Sequence, residues 1–99
     1  VSRIVSREMP EGIASIAVYP VPFQSEITME LDVIQSGTLE VMLQDLTGRT
    51  IQTLEKQTLT PGKQRFQWNA GNEISAGVYL LNVQFRGRTL TFKVIKTGN

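Results

Sequence analysis

Hydrophobic and polar side chains alternate along most of this chain with a period of two residues. The pattern is clearest in EITMELDV (26–33), where four apolar residues alternate with residues that carry a carboxylate or a hydroxyl. Successive side chains of a strand point to opposite faces of a sheet, so this period predicts a β-strand with one buried face. No stretch of the chain has a comparable helical periodicity.

The same alternation returns in six further stretches, which are separated by turn residues about every 8 to 12 positions. We expect strands at SIAVY (15–19), EITMELDV (26–33), TLEVMLQD (38–45), RTIQTLE (49–55), QRFQWN (64–69), VYLLNVQF (78–85) and TLTFKVIK (89–96). About seven short antiparallel strands with this spacing are typical of an immunoglobulin-like β-sandwich. The predicted fold class is therefore all-β, with a single domain of this type.

The phase of each strand predicts which side chains face the core. In the fourth strand we expect Ile51, and also Leu54, to be buried. Tyr19 has the opposite phase to the buried Val18 and is a candidate for a surface contact. Four aromatic residues share the inward phase, which favours core packing over a stacking surface for sugars or bases: Trp68, Tyr79, Phe85 and Phe92.

Two prolines follow the first strand, in YPVPF (19–23). A proline has no amide hydrogen for a sheet ladder, so we expect the strand to stop at Pro20. The segment then suits a crossover from the edge of one sheet to the other, with Phe23 filling the end of the core. Residues 1–14 are less regular and are interpreted as a linker arm with a short strand at Arg3–Ser6, which leaves residues 15–99 as the sandwich.

The chain contains no cysteine and no histidine, which excludes Cys/His zinc sites and histidine-dependent triads and dyads. Glu30 and Asp32 are two residues apart on one strand face, and we expect them to be solvated rather than opposed across a cleft. Asp45 suits a turn better than a metal loop. A weak cluster of possible oxygen ligands remains at Asn69, Asn72 and Glu73. We therefore expect no catalytic residue, cofactor, metal or small-molecule substrate.

Charge is unevenly distributed along the chain, although the net charge is only +1. Residues 1–73 carry six basic and nine acidic side chains, whereas residues 74–99 carry four basic ones and no acid. This balance gives no general attraction to nucleic acid. The basic end, RGRTLTFKVIK (86–96), suits either a polar edge that deters aggregation or a cationic edge that binds a partner by strand addition. Composition alone favours the first interpretation.

Several short motifs occur in a fixed order, and together they resemble the C-terminal sorting domain of proteins exported by the type IX secretion system of Bacteroidota. The matching residues are Tyr19, Pro20, Pro22 and Phe23, then Asp45, Gly48 and Arg49, then Gly77, Val78 and Tyr79, and finally Lys93, Val94, Ile95 and Lys96. The chain departs from the family pattern at Val21, where asparagine is usual, and in the three residues that follow Lys96.

The resemblance implies a sorting signal rather than an enzyme. Such domains are folded tags that carry cargo through an outer-membrane translocon, engage a β-barrel shuttle and are removed by a sortase-like peptidase. The cargo passes through the periplasm and ends at the cell surface or outside the cell. By this analogy a cleavage site is expected in residues 1–14. The residues expected to be recognised by partners lie in the final hairpin: Arg86, Arg88, Lys93, Val94, Ile95 and Lys96.

Three alternatives stay open at this point. A structural assembly module is one, because the immunoglobulin-like domain of flagellar hook-capping proteins has a similar series of motifs. An adhesive or carbohydrate-binding sandwich is the second, and it predicts aromatic side chains on an exposed face. An enzyme is the third, and it would need a cleft with an activated group.

Overall fold

A computed structural model of the chain describes residues 2–5, 11–69 and 74–98. These residues form strands and turns, and none of them belongs to a helix that could cross a membrane. The strands are β1 (Ser2–Val5), β2 (Ile13–Val21), β3 (Glu26–Val33), β4 (Gly37–Gln44), β5 (Thr50–Leu59), β6 (Gly62–Asn69), β7 (Gly77–Phe85) and β8 (Arg88–Lys96). The seven predicted strands are present as β2–β8. The short strand predicted at Arg3–Ser6 corresponds to β1, and Ser6 lies outside the described residues.

The strands form two four-stranded sheets that pack face to face. The first sheet has the order β1-β2-β3-β6 and the second has the order β5-β4-β7-β8. All neighbours within each sheet are antiparallel. The predicted all-β sandwich is therefore confirmed.

The core lies between the sheets and is made by the inward positions of each strand. The apolar residues of β3 at 27, 29, 31 and 33 are buried, and so are those of β4 at 39, 41 and 43. Trp68, Phe85 and Phe92 are buried, and Tyr79 packs against the core from a half-buried position. The two-residue period predicts these side chains correctly, because only one face of each sheet is covered.

The prediction that Ile51 faces the core is wrong, because its side chain is 38% exposed. The pairing of β4 with β5 shifts at two points, between Val41 and Met42 and between Leu43 and Gln44. Each bulge inserts an extra residue and moves the following side chains to the opposite face. Leu54 packs against the core, as predicted.

The first strand does not stop at Pro20 as predicted, since β2 continues to Val21. Pairing with β3 ends at Tyr19, and beyond it β2 lies beside β1 alone. A proline at this place has no bond to β3 to lose, which explains why the strand tolerates it. The peptide bonds before Pro20 and Pro22 are both cis.

The predicted crossover between the sheets is confirmed at Phe23. Its amide donates to the carbonyl of Ile95 at 2.8 Å, and its carbonyl accepts a bond from the amide of Thr97 at 2.8 Å. These bonds form a parallel bridge with Lys96 on the outer side of β8. The Phe23 side chain is fully buried and fills the end of the core, also as predicted.

Candidate interaction surface

The final hairpin, β7–β8, brings the predicted recognition residues to one edge of the second sheet. Arg86 and Gly87 form its two-residue turn, with positive φ values of 51° and 76°. Such turns match the twist of the paired strands, so the register between β7 and β8 is unbroken from Phe85–Arg88 to Gly77–Lys96. Among the described strands, only β7 pairs with β8 in this sheet.

The alternation of β8 divides the predicted recognition residues between two faces. Lys93 and Ile95 point outward, and Ile95 is 39% exposed. Val94 and Lys96 point inward and are buried, Lys96 with only 2% exposure. Lys96 therefore does not belong to the exposed cationic surface that the sequence suggested, because it shares the inward phase of Val94.

The ammonium group of Lys96 is held inside the end of the sandwich. Its Nζ donates to the carbonyl oxygen of Thr97 at 2.8 Å. None of the described carboxylates lies within 4.0 Å of this nitrogen. The long apolar stem packs with the core while a backbone carbonyl satisfies part of the charged head.

Arg86 is exposed at the hairpin turn, but its guanidinium is held by neighbouring segments. Its Nη1 donates to the carbonyl of Ser36 at 2.5 Å, and its Nη2 lies 4.0 Å from a carboxylate oxygen of Glu11. A Cβ atom at Gly12 would lie 2.8 Å from Cδ of Arg86, and one at Gly37 would lie 2.6 Å from its Cγ. Because Gly12 and Gly37 have no Cβ atom, they leave room for the Arg86 side chain. This side chain connects the hairpin turn to the segments that begin β2 and β4.

Arg88 and Lys93 have a different environment. Both are exposed, and no carboxylate of the described residues forms an ion pair with either. Residues 74–98 contribute no acid at all. The hairpin therefore presents two solvated cations that form no ion pair within the described part of the domain.

The Tyr19 side chain lies on the outer face of the first sheet, half-buried rather than free for contact. Its hydroxyl donates to Oε2 of Glu30 at 2.5 Å, and Nε of Arg65 lies 3.5 Å from the same oxygen. These three side chains connect β2, β3 and β6. Glu30 is thus part of a cross-strand network, not the fully solvated side chain that the sequence predicted.

The hairpin between β4 and β5 confirms the predicted turn role of Asp45. Its Oδ1 accepts hydrogen bonds from the amides of Thr47 and Arg49 at 2.9 and 3.1 Å and from the Thr47 hydroxyl at 2.5 Å. Its Oδ2 lies 3.3 Å from Nε of Arg49, and Gly48 adopts a φ of +90°. The hydrogen bond from the Thr47 hydroxyl is the main cause that lowers the pKa of Asp45 below its ordinary value of 3.8.

The Asp45→Asn variant is expected to be less stable than the natural domain at neutral pH, and the difference should shrink in acid. Folding lowers the pKa of Asp45, so the stabilisation is present above 3.8 and is lost as the pH falls through the folded value. Urea unfolding at about pH 7 and about pH 2.5, followed by Trp68 fluorescence, measures the difference. A difference that stays constant between the two pH values would contradict this account.

Tyr79 also has an internal role. Its hydroxyl donates to the carbonyl of Ser75 at 2.7 Å, four residues upstream, which anchors the loop that leads into β7. Gly77 lies between these two residues, at the start of the strand. This arrangement resembles the tyrosine corner of immunoglobulin-like sandwiches.

Four of the motif residues therefore act within the fold: Tyr19 and Phe23 join strands and sheets, Asp45 closes a hairpin, and Tyr79 anchors a loop. Among the described residues, no group of three or more acids could hold a metal ion. Asn72 and Glu73, from the weak oxygen cluster, lie outside the described residues.

The chain matches a family model described as the secretion system C-terminal sorting domain over residues 17–97. A comparison with curated proteins gives no match. The family match begins within β2, continues to one residue past the end of β8, and includes all the motif residues discussed above. The chain thus belongs to the family of secretion system C-terminal sorting domains, the sorting signals that type IX secretion uses to export proteins to the cell surface or beyond.

Proposed function

We propose that this domain is a tag that an outer-membrane translocon, a β-barrel shuttle and a sortase-like peptidase recognise in turn. The peptidase would cut within residues 1–14, of which Ser2–Val5 form β1 and Ile13 begins β2, and residues 15–99 would be the part of the domain that the machinery recognises. The cargo would cross the periplasm with the tag folded. Membership of the sorting family supports this proposal at the level of the machinery as a whole.

The observation that carries the proposal is the contrast between the earlier motif residues and the exposed residues of β8. Tyr19, Phe23, Asp45 and Tyr79 form bonds within the fold, whereas Arg88 and two residues of the terminal motif, Lys93 and Ile95, are exposed on β8. We assign direct contact with partners to these three residues. Val94 and Lys96 are buried and Arg86 is tied to Ser36, so their part in recognition is to hold the hairpin in place.

A signal accounts for these features better than a binding module or an enzyme does. A carbohydrate-binding sandwich needs exposed aromatic side chains, but Trp68, Phe85 and Phe92 are buried. An enzyme needs an activated group in a cleft, whereas Asp45 closes a turn and Glu30 belongs to a cross-strand pair. We therefore propose no catalytic activity and no small-molecule substrate for this domain.

A reporter protein carrying these 99 residues at its C-terminus tests the proposal in a host with type IX secretion. We expect the natural reporter to be found outside the outer membrane. When Arg88→Glu is combined with Lys93→Glu, the amount of reporter retained in the periplasm should rise at least about tenfold, because reversed charges in an interface cost well over ~1 kcal/mol of binding free energy. Lys56→Glu, an exposed change on the opposite edge strand, is the matched control and should be exported normally.

Two results would count against the proposal in different ways. A natural reporter that stays in the periplasm would overturn the sorting function of this chain. Normal export of the doubly reversed variant would leave sorting intact and remove the hairpin charges from recognition.

A further inference from the structure

We infer that the outer edge of β8 binds an extended segment of a partner protein in which apolar residues alternate with acidic ones, and that this segment joins the second sheet as an added strand. The inference rests on the proposed function, because it specifies how the same hairpin is recognised. The backbone of β8, the sheet edges and the charges each support it.

The direction of the β8 backbone follows from its bridge to Phe23. The carbonyl of Ile95 and the amide of Thr97 point outward, away from β7. Backbone groups of a strand alternate in direction, so Thr89, Thr91 and Lys93 also point their N–H and C=O groups to the outer side. No described strand pairs with β8 there.

Phe23 limits the open edge at one end and the hairpin turn limits it at the other. Residues 89–93 remain between them, a length of about 17 Å at roughly 3.4 Å per residue. This length accommodates a partner segment of about five residues, and the outward groups of Thr89, Thr91 and Lys93 would bond to it.

The two edges of the second sheet differ in how well they can accept a strand. β5 is bulged at two points in its pairing with β4, and bulges of this kind protect an edge from strand addition. The pairing of β7 with β8 has no shift along its whole length, from Gly77–Lys96 to Phe85–Arg88. β8 therefore offers a regular template, whereas β5 does not.

The side chains along the open edge define the chemistry of the occupant. On the outer face, Lys93 would lie beside the added strand and would favour a carboxylate. On the inner face, Leu90 is only partly buried and packs against the core, so an apolar side chain there would complete its burial. A segment that alternates apolar and acidic residues meets both requirements.

A second copy of this domain is a poorer occupant of the same edge. Two β8 strands paired edge to edge would bring together two basic segments that carry no acid, and any register that places Lys93 beside Lys93 of the other copy would pair like charges. Like charges on paired strands are destabilising. The charge of the edge therefore favours a different chain.

The variant Thr91→Pro tests the inference in the reporter assay. Proline removes an amide that points outward and is not bonded to β7, and free edges tolerate such a residue. We expect the variant to fold and to be exported at least about tenfold less, the change that follows from a loss of ~1.4 kcal/mol in binding. Thr91→Ala keeps the amide and should be exported like the natural sequence.

A folded Thr91→Pro variant that is exported normally would overturn the inference and leave the sorting function intact. Retention of the natural reporter would instead overturn the sorting function. If denaturation experiments show that the proline variant does not fold, cross-linking through a side chain decides the question, because it leaves the backbone undisturbed.

The chain has no cysteine, so a single Thr91→Cys substitution provides a unique site for that cross-link. In exporting cells we expect Thr91→Cys to give a cross-linked adduct with a partner segment in which Asp or Glu alternates with apolar residues. Thr53→Cys on β5 is the control and should give no such adduct. Equal adducts at both positions, or a dimer of the chain linked through position 91, would overturn the inference.

Discussion

The Phe23→Ala variant is expected to lose about 3–5 kcal/mol of stability, which is the usual cost of removing a buried phenylalanine ring from a core. A small domain has a total stability of only about 5–15 kcal/mol, so a large part of the molecules would unfold under mild conditions. The ring is fully buried at the end of the sandwich. The backbone of Phe23 is fixed to Ile95 and Thr97, so this segment has little freedom to move into the cavity.

Urea unfolding measured through the single tryptophan, Trp68, would give the free energy of unfolding of this variant. Trp68 is buried and stacks on Phe66, so its emission reports the packing of the first sheet. Ser25→Ala, an exposed change two residues away, is the matched control and should change stability by less than about 0.5 kcal/mol. A loss below about 1 kcal/mol for Phe23→Ala would show that the ring does not close the core.

The two-residue period predicts the core well because each sheet has one covered face. The same period fails after a bulge, and the prediction for Ile51 is wrong for that reason. A bulge depends on how β4 and β5 pair, and neither strand carries a local signal that identifies one. The turn at Asp45, in contrast, is predictable because it depends only on residues that are close in sequence.

The positions of Lys96 and Arg86 show two different limits of predicting side-chain positions from the sequence. The inward phase of Phe92 and Val94 extends to Lys96, so a strict use of the strand period places this lysine inside. The positive charge of Lys96 suggested instead that the side chain would be exposed to solvent. The path of Arg86 over Gly12 has no such signal, because it depends on a contact between residues far apart in the chain.

The Lys96→Glu variant is expected to lose about 3 kcal/mol or more, the size of effect seen when a buried charge is left without compensation. A carboxylate at this position cannot donate to the carbonyl of Thr97 and would be buried beside that oxygen. Lys96→Met keeps a long apolar stem and removes the charge, so it should cost less than about 1.5 kcal/mol. Lys93→Glu is the matched control for the charge reversal, because Lys93 is exposed on the outer face and its reversal should change stability by less than about 0.5 kcal/mol.

Urea unfolding of the three variants at neutral pH separates the structural role of Lys96 from a role in recognition. If Lys96→Glu is as stable as Lys93→Glu, the Lys96 side chain is not buried in solution. If Lys96→Met folds and its reporter is exported normally, the charge of Lys96 is not recognised by a partner, as its burial implies. A folded Lys96→Met variant that is retained in the periplasm would mean that β8 exposes this lysine when the machinery binds, which would contradict the assignment of direct contact to Arg88, Lys93 and Ile95 alone.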